Sequence, residues 1–280
     1  MDTLVEGLTF PDGARWHDRH LWFSDTHAGE VLAYDPLTGA LNTVAEVPGR
    51  PAGLGFLPDG RLLIASTRDL LVLRREPDGA LVVHADLSGV ATWYLNEMCV
   101  DRFGRAYVGN VGDGSDPPRP PRPADLAMIE PDGTVHDVAT SMVLAGGMVV
   151  TSDGSTLIVA ESRSTPGRLT GFTIEPDGGL EQRRVIAEFD ASVHPDGLAI
   201  DAEDGVWVAS PFGDEIFRVD AEGAITDRLS APHPYSLALG GPDGRDLFVC
   251  TAETWVPEEA ERDRAGAVRR VRVRVPAARE

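Results

Sequence analysis

The sequence predicts an all-β chain folded as a six-bladed β-propeller with four antiparallel strands in each blade. A pattern of apolar strand, tight turn and second apolar strand recurs six times, every 40 to 50 residues along the 280-residue chain. Most copies continue into a second hairpin, so the repeating unit has four strands. Four strands per repeat of this length are typical of a propeller blade. We therefore expect residues 1–280 to form one propeller domain.

Composition and the chain ends agree with this fold. The chain has 30 glycines and 21 prolines, as expected for many short strands joined by turns, and 42% hydrophobic residues can form a core. The strand TLVEGLTF precedes the first repeat and has no partner there, whereas AVRRVRVRVP follows the sixth repeat. We expect these two segments to pair and close the ring, because closure removes open sheet edges.

The triplet Pro-Asp-Gly occurs seven times, in two different registers. Five copies lie inside hairpins, where these residues favour turns, and begin at residues 58, 77, 131, 176 and 242. The copies at Pro11 and Pro195 instead stand before the first strand of a repeat. In a propeller the first strand of each blade lines the central channel. The residues in this register therefore form a ring at the channel mouth: Asp12, Ala52, Asn96, Gly146, Asp196 and Ser236.

Three residues of this ring carry oxygen donors suited to a metal ion. Asp12 and Asp196 would repel each other at short distance unless a cation or a shared proton intervened. Together with Asn96 they offer hard oxygen ligands, which suit calcium, magnesium or manganese. The alternative is that each aspartate caps its own loop, which is ordinary turn chemistry. The shared register favours a divalent cation.

Other residues near the ring are candidates for substrate contact. His194 and His233 lie close to it by register, where each is either a base or nitrogen ligand or simply a partner of loop backbone. Trp93 and Tyr94 precede Asn96 and are predicted to wall an apolar pocket. The proline-rich segment 110–124 is predicted to be a substrate lid or a surface loop.

The charge and motif content exclude several classes of function. A formal net charge of −20 argues against nucleic acid as a partner. No apolar run is long enough to span a membrane, and the first residues do not form a secretory signal. Two cysteines in separate apolar segments do not form a disulfide framework. These features predict a cytoplasmic protein with a small-molecule partner, and they leave its oligomeric state open.

Long segments resemble a known family of six-bladed propellers. FPDGARWHDRHLWFSDTHAGEVLAYD, GGMVVTSDGSTLIVAES and PDGLAIDAEDGVWVAS are similar to the senescence-marker-protein/gluconolactonase/regucalcin family. The resemblance implies one divalent cation at the channel mouth and hydrolysis of sugar or other lactones. It places the family's acidic first-blade ligand on Asp12 and its Pro-Asp-Gly ligand on Asp196. The family's third-blade Asn-Asp pair falls on Asn96 and Glu97.

Two positions depart from the family pattern. A further asparagine ligand of the family falls on Gly146, and the arginine that contacts sugar lactones in some members falls on Tyr94. The resemblance nevertheless implies a metal-dependent lactonase that opens a lactone to a hydroxy acid. Calcium is the first candidate cation, with zinc, magnesium or manganese as alternatives.

This interpretation assigns roles to the ring and its surroundings. Asp12, Asn96 and Asp196 are predicted to hold the cation, and Asp196 or Glu97 to accept a proton from the attacking water. The predicted substrate contacts are Trp93, Tyr94, Asn96, His194 and His233. The alternatives are a related enzyme with a changed reaction, such as a biosynthetic cyclase or isomerase, and a non-catalytic propeller that binds a metal or ligand.

Overall fold

Strands dominate the computed structural model, which describes residues 1–112 and 124–278. They form six four-stranded antiparallel sheets, arranged as the blades of a six-bladed β-propeller. The predicted fold is therefore confirmed. Most of the segment 110–124, predicted as a lid or a surface loop, lies outside the described residues.

The chain begins with strand β1 (Asp2–Leu8), and five blades of four consecutive strands follow. The first two blades contain β2 (Pro11–His17), β3 (His20–Asp25), β4 (Glu30–Tyr34), β5 (Leu41–Glu46), β6 (Pro51–Phe56), β7 (Leu62–Ser66), β8 (Leu71–Arg75) and β9 (Leu81–Asp86). The next two contain β10 (Leu95–Val100), β11 (Ala106–Asn110), β12 (Ala124–Ile129), β13 (Val135–Met142), β14 (Ala145–Val150), β15 (Thr156–Glu161), β16 (Arg168–Ile174) and β17 (Leu180–Glu188). The fifth contains β18 (Leu198–Ile200), β19 (Val206–Ser210), β20 (Glu215–Val219) and β21 (Ile225–Ser230).

The sixth blade joins the two ends of the chain. Its strands β22 (Pro234–Gly240), β23 (Asp246–Thr251) and β24 (Gly266–Arg272) are completed by β1, which pairs with β24. The predicted closure of the ring is therefore confirmed. A short helix, α1 (Pro257–Asp263), lies between β23 and β24 and was not anticipated from the sequence. Within the described ranges, no helix is long and apolar enough to cross a membrane.

The first strands of the six blades contact one another in cyclic order and form the innermost ring. Their close approach explains the glycines that follow the two aspartates of the ring. A Cβ atom on Gly13 would lie 2.2 Å from the carbonyl oxygen of Ala52, and one on Gly197 would lie 2.4 Å from that of Tyr235. In both triplets glycine is needed for packing between blades, and Gly13 in addition has a positive φ of 63°.

An apolar cluster lies between each pair of adjacent blades. Between the first and sixth blades, Trp16 stacks on Phe248 with ring centroids 5.4 Å apart. Between the first and second blades, Trp22 meets the edge of Phe56 at 5.2 Å. Interiors packed in this way have low compressibility. The ring residues are therefore presented by a rigid frame.

Candidate metal centre at the channel mouth

The structure brings Asp12 and Asp196 together from opposite parts of the chain. The pKa of Asp12 is well above its usual value, mainly because of burial and further because of the nearby charges of Glu97 and Asp196. Burial and the charge of Glu97 raise the pKa of Asp196 to about 7. Both aspartates are deep in the protein but remain partly accessible from the mouth. Neither makes an ion pair with any residue that the structure describes.

Local backbone geometry fixes the direction of both side chains. The amide of Asp196 donates to the carbonyl of Ala209 at 2.9 Å, and its carbonyl accepts from Gly147 at 3.1 Å. Strand β2 has a register irregularity between Asp12 and Arg15, which is typical of a β-bulge. Bulges re-aim side chains next to functional sites. The backbone of Asp196 is therefore held by two neighbouring strands, and that of Asp12 by its pairing with β3 next to the bulge.

The third predicted ligand, Asn96, has its amide group oriented by a neighbouring blade. Its Nδ2 donates to the carbonyl oxygen of Ala145 at 3.0 Å. Because an amide has donors only on nitrogen, this bond fixes which end of the side chain carries the oxygen. Oδ1 is consequently the atom that Asn96 can offer to a cation at the partly accessible mouth.

Gly146 has no side chain to contribute, but the space that a side chain there would fill is taken by the hydroxyl of Ser162. A Cβ atom built on Gly146 would lie 2.4 Å from the hydroxyl oxygen of Ser162 and 3.1 Å from Oδ1 of Asp196. Ser162 follows β15, the strand paired with β14. The sequence register could not indicate this contact, because Ser162 belongs to a different strand-end from the ring residues.

Glu97 occupies a different environment from the ring aspartates. It is 2% exposed, and its Oε2 lies 2.9 Å from a guanidinium nitrogen of Arg15. The hydroxyl of Ser236 donates to its Oε1 at 3.3 Å and accepts from the amide of Ala14 at 3.0 Å. Glu97 thus connects the third blade to the first and sixth. Its two oxygens are engaged by a guanidinium and a hydroxyl, whereas Asp196 makes no ion pair with a described residue, so the contacts favour Asp196 over Glu97 as proton acceptor.

The two predicted histidines both hydrogen-bond to loop backbone. His194 Nδ1 lies 3.1 Å from the carbonyl oxygen of Ser162, and His233 Nδ1 lies 3.2 Å from that of Pro211. His233 also lies 3.6 Å from Glu253. His194 is therefore close to the ring through Ser162, whereas His233 lies among loop residues at the rim.

Aromatic side chains surround the mouth. Trp93 and Tyr94 stack with ring centroids 4.6 Å apart and are 37% and 36% exposed, so they form an open surface rather than a closed pocket. Phe212 contacts both His194 and Trp255 edge-on, at 5.3 and 5.5 Å.

Tyr235 is an aromatic residue whose hydroxyl feels the charges of both carboxylates. Its pKa is raised by burial first and then by the charges of Asp196 and Asp12. The sequence analysis did not identify Tyr235. Its position one residue before Ser236, which belongs to the ring, could have indicated that it lies near the site. Arg15 was also missed, because nothing in a strand pattern distinguishes it from an exposed arginine.

The donor set fits a hard divalent cation. Two desolvated carboxylates that form no ion pair with a described residue, and one oriented amide oxygen, are the kind of ligands that calcium, magnesium and manganese prefer. No group of three His, Cys, Asp or Glu side chains within residues 1–112 and 124–278 is arranged to hold a metal. A cation at this site therefore needs neutral oxygen donors such as Asn96 beside the two aspartates.

A family model described as the SMP-30/Gluconolactonase/LRE-like region matches residues 10–253. Among curated proteins, the chain is 27% identical over 272 residues to the pentonolactonase XacC of Haloferax volcanii, which covers 94% of this chain and 90% of that protein. It is 26% identical over 261 residues to an L-arabinolactonase of Azospirillum brasilense, covering 91% and 85% of the two chains.

Solved structures show the same fold. A luciferin-regenerating enzyme superposes with a TM-score of 0.84 at 19% identity, covering 99% of this chain and 96% of the other. A calcium-binding protein, regucalcin from Agrobacterium tumefaciens, superposes with a TM-score of 0.82 at 19% identity, covering 100% and 97%. At these identities the likeness concerns the fold alone.

Proposed function

The chain belongs to the SMP-30/gluconolactonase/LRE-like family, and we propose that it is a lactonase that opens a lactone to a hydroxy acid with a divalent cation at the channel mouth. The observation that carries this proposal is the pair Asp12 and Asp196, two desolvated carboxylates that share the ring register of Asn96, whose amide group is oriented by Ala145. The lactonases among the curated relatives support the reaction class.

In this proposal Asp12, Asp196 and Oδ1 of Asn96 hold the cation. When bound, a divalent cation polarises a substrate carbonyl and lowers the pKa of water. Asp196 accepts a proton from the attacking water, whose oxygen forms the new bond to the carbonyl carbon. The ring carbon–oxygen bond then breaks, and the departing oxygen takes a proton to give the hydroxy acid.

The surrounding residues have supporting roles. Glu97 is held by Arg15 and Ser236, so we assign it to positioning and electrostatics rather than to proton transfer. We assign contacts with the organic part of the lactone to Tyr235, which lies near both carboxylates, and to the stacked pair Trp93 and Tyr94.

A second candidate is a family enzyme with a changed reaction or a propeller that only binds its ligand. Tyr94 favours it, because an aromatic side chain stands where some family members have an arginine for sugar lactones. The exposed Phe212 and Trp255, 57% and 53% accessible, add apolar surface at the same mouth.

The test is a pH-stat assay of a panel of sugar and aliphatic lactones. Protein stripped of metal by chelation is compared with protein reloaded with calcium, manganese, zinc or magnesium. We expect hydrolysis of at least one lactone by the reloaded protein and its loss after chelation. Asp69→Asn, the same substitution at an exposed acid of the second blade, is the matched control for Asp196→Asn.

The outcomes separate the candidates. Hydrolysis by wild-type protein and Asp69→Asn, but not by Asp196→Asn, supports the proposal. Cation binding without hydrolysis of any lactone contradicts the lactonase and favours the second candidate. Hydrolysis that is unaffected by chelation contradicts the role of the cation.

A further inference from the structure

The hydroxyl group of Ser162 is buried beside Asp196 and has no other partner among the described residues. Ser162 is 9% exposed, and its hydrogen bond to the carboxylate of Asp196 lowers the pKa of that group. A carboxylate can only accept from a hydroxyl, so the lone pairs of the Ser162 oxygen remain unused. Unused capacity of a buried polar group calls for an explanation, and a missing ligand is one.

The backbone of Ser162 is fixed on both sides, which sets the direction of its hydroxyl. Its amide donates to the carbonyl of Leu144 at 3.1 Å, and its own carbonyl accepts from His194 Nδ1 at 3.1 Å. Between these two anchors the side chain extends over Gly146, on the strand that precedes it in the same blade.

The position of the hydroxyl oxygen coincides with the side chain that Gly146 lacks. It lies 2.4 Å from the point that a Cβ atom of residue 146 would occupy, and Oδ1 of Asp196 lies 3.1 Å from the same point. A donor at residue 146 would start from this point beside Asp196. The Ser162 hydroxyl therefore stands in the same place but comes from the neighbouring strand.

We propose that Ser162 supplies the neutral oxygen ligand that is missing at Gly146, so that the cation site is completed by Asp12, Asn96, Ser162 and Asp196. This inference rests on the proposed cation at the channel mouth. Serine and threonine hydroxyls serve as ligands of hard divalent cations elsewhere, as in phosphate-binding loops that hold magnesium. The chain has thus moved one donor from β14 to the end of β15 without changing the chemistry of the site.

The first test removes the oxygen. Calorimetric titration of chelator-treated protein with calcium and with manganese should show binding to Ser162→Ala that is about tenfold weaker or more, the scale seen when groups supporting a metal site are removed. Ser210→Ala is the matched control, because Ser210 is also a buried serine at the end of a blade's second strand, and its hydroxyl has no partner among the described residues. Its affinity should equal that of the wild type.

The second test moves the oxygen ligand from Ser162 to residue 146. Gly146→Asn alone places a side chain 2.4 Å from the Ser162 oxygen, which must move. In the double variant Gly146→Asn/Ser162→Ala that oxygen is absent, and the nearest remaining atom is Oδ1 of Asp196 at 3.1 Å. We expect the double variant to bind manganese more tightly than either single variant. Equal affinity of the double variant and Ser162→Ala would contradict the proposal.

The third test distinguishes a ligand from a residue that only hydrogen-bonds to Asp196. Ser162→Cys replaces a hard oxygen with a soft sulfur, which should weaken calcium binding and favour cadmium. A thiolate that coordinates cadmium gives a charge-transfer absorption band. The wild type, which contains the buried Cys99 and Cys250, should not show this band. Absence of the band from Ser162→Cys would overturn direct coordination.

These outcomes can be separated from those of the proposed function. A wild-type chain that binds no divalent cation contradicts both proposals. A wild-type chain that binds calcium or manganese, together with a Ser162→Ala variant of equal affinity, contradicts only the role of Ser162. Thermal unfolding without metal verifies that each variant is folded before titration.

Discussion

Asp196 and Asp201 flank the same short strand, β18, but only Asp201 forms an ion pair with a described residue. Asp201 is 0% exposed, and Nε of Arg218 lies 2.6 Å from its Oδ2. Asp196 has no such partner in the described chain, and burial with the charge of Glu97 raises its pKa to about 7. A buried carboxylate is stable when paired and costly when alone. The charge of Asp201 therefore stabilises the fold, whereas that of Asp196 is available to a ligand.

Replacing each aspartate with asparagine should separate these roles most strongly. For Asp196→Asn we expect cation binding and lactone hydrolysis to fall by about 100-fold or more, because a ligand and a proton acceptor are lost together. Unfolding by denaturant should show no loss of stability in metal-free protein at pH 8. A stability loss with retained hydrolysis would contradict the account.

For Asp201→Asn we expect the reverse result, which is a loss of stability with unchanged cation binding. It leaves the guanidinium of Arg218 buried with one carboxylate fewer, which typically costs about 3–5 kcal/mol of unfolding free energy. Denaturant unfolding measures this loss. Cation affinity of the folded fraction should stay at the wild-type value, and a large decrease would show that the two aspartates are not independent.

The effect of a cation on thermal stability should grow with pH. The pKa of Asp196 is raised in the folded state from 3.8 to about 7, so the folded chain binds the extra proton between about pH 4 and pH 7. Without metal, this group therefore contributes a loss of stability as pH rises through that window. A cation favours the ionised form and removes the loss.

Differential scanning fluorimetry with and without saturating calcium or manganese measures this dependence. We expect a larger rise in melting temperature at pH 8 than at pH 5. A rise that is equal at both values, or larger at pH 5, would contradict the assignment of Asp196 as a ligand.

Glu97→Gln sharpens the comparison, because Glu97 is an acid that lies near the ring but is paired with Arg15. Removing its charge should lower the pKa of Asp12 and Asp196, since it contributes to raising both. We expect kcat to stay within about tenfold of the wild type, with the acidic limb of its pH profile moved to lower pH. A loss of about 100-fold or more without that movement would identify Glu97 as the proton acceptor.

The smallest expected effect is on substrate preference at the rim. Tyr94→Arg restores the residue type that contacts sugar lactones in some family members. One additional hydrogen bond contributes about 1 kcal/mol, so kcat/KM for polyhydroxylated lactones should rise roughly fivefold over that for aliphatic ones. A parallel change for both classes in the pH-stat panel would show that Tyr94 does not select between them.

The blade architecture could be predicted from the sequence because hairpin turns and strand periods are local signals. The pairing of β1 with β24 followed from two strands that otherwise lacked partners. The register of Asp12 and Asp196 also followed from the repeat. The same register contained one further signal, since glycine follows both aspartates for packing between blades rather than for a turn.

The rest of the site depends on side chains that meet in space without sharing a register. Ser162 reaches the place of Gly146 from the next strand, and Arg15 reaches Glu97 from a different blade. An asparagine introduced at residue 146 would therefore have to compete with the hydroxyl of Ser162 for space. Contacts of this kind depend on rotamers and blade spacing, which a single sequence does not specify.

The central claim is that Asp12 and Asp196, the two desolvated carboxylates at the channel mouth, are there to hold a divalent cation. Equilibrium dialysis of chelator-treated protein against manganese tests it most directly, with the wild type compared with Asp12→Asn/Asp196→Asn. We predict one tightly bound ion per wild-type chain and none for the double variant. A wild-type chain that binds no ion, or a double variant that binds one with wild-type affinity, would contradict the claim.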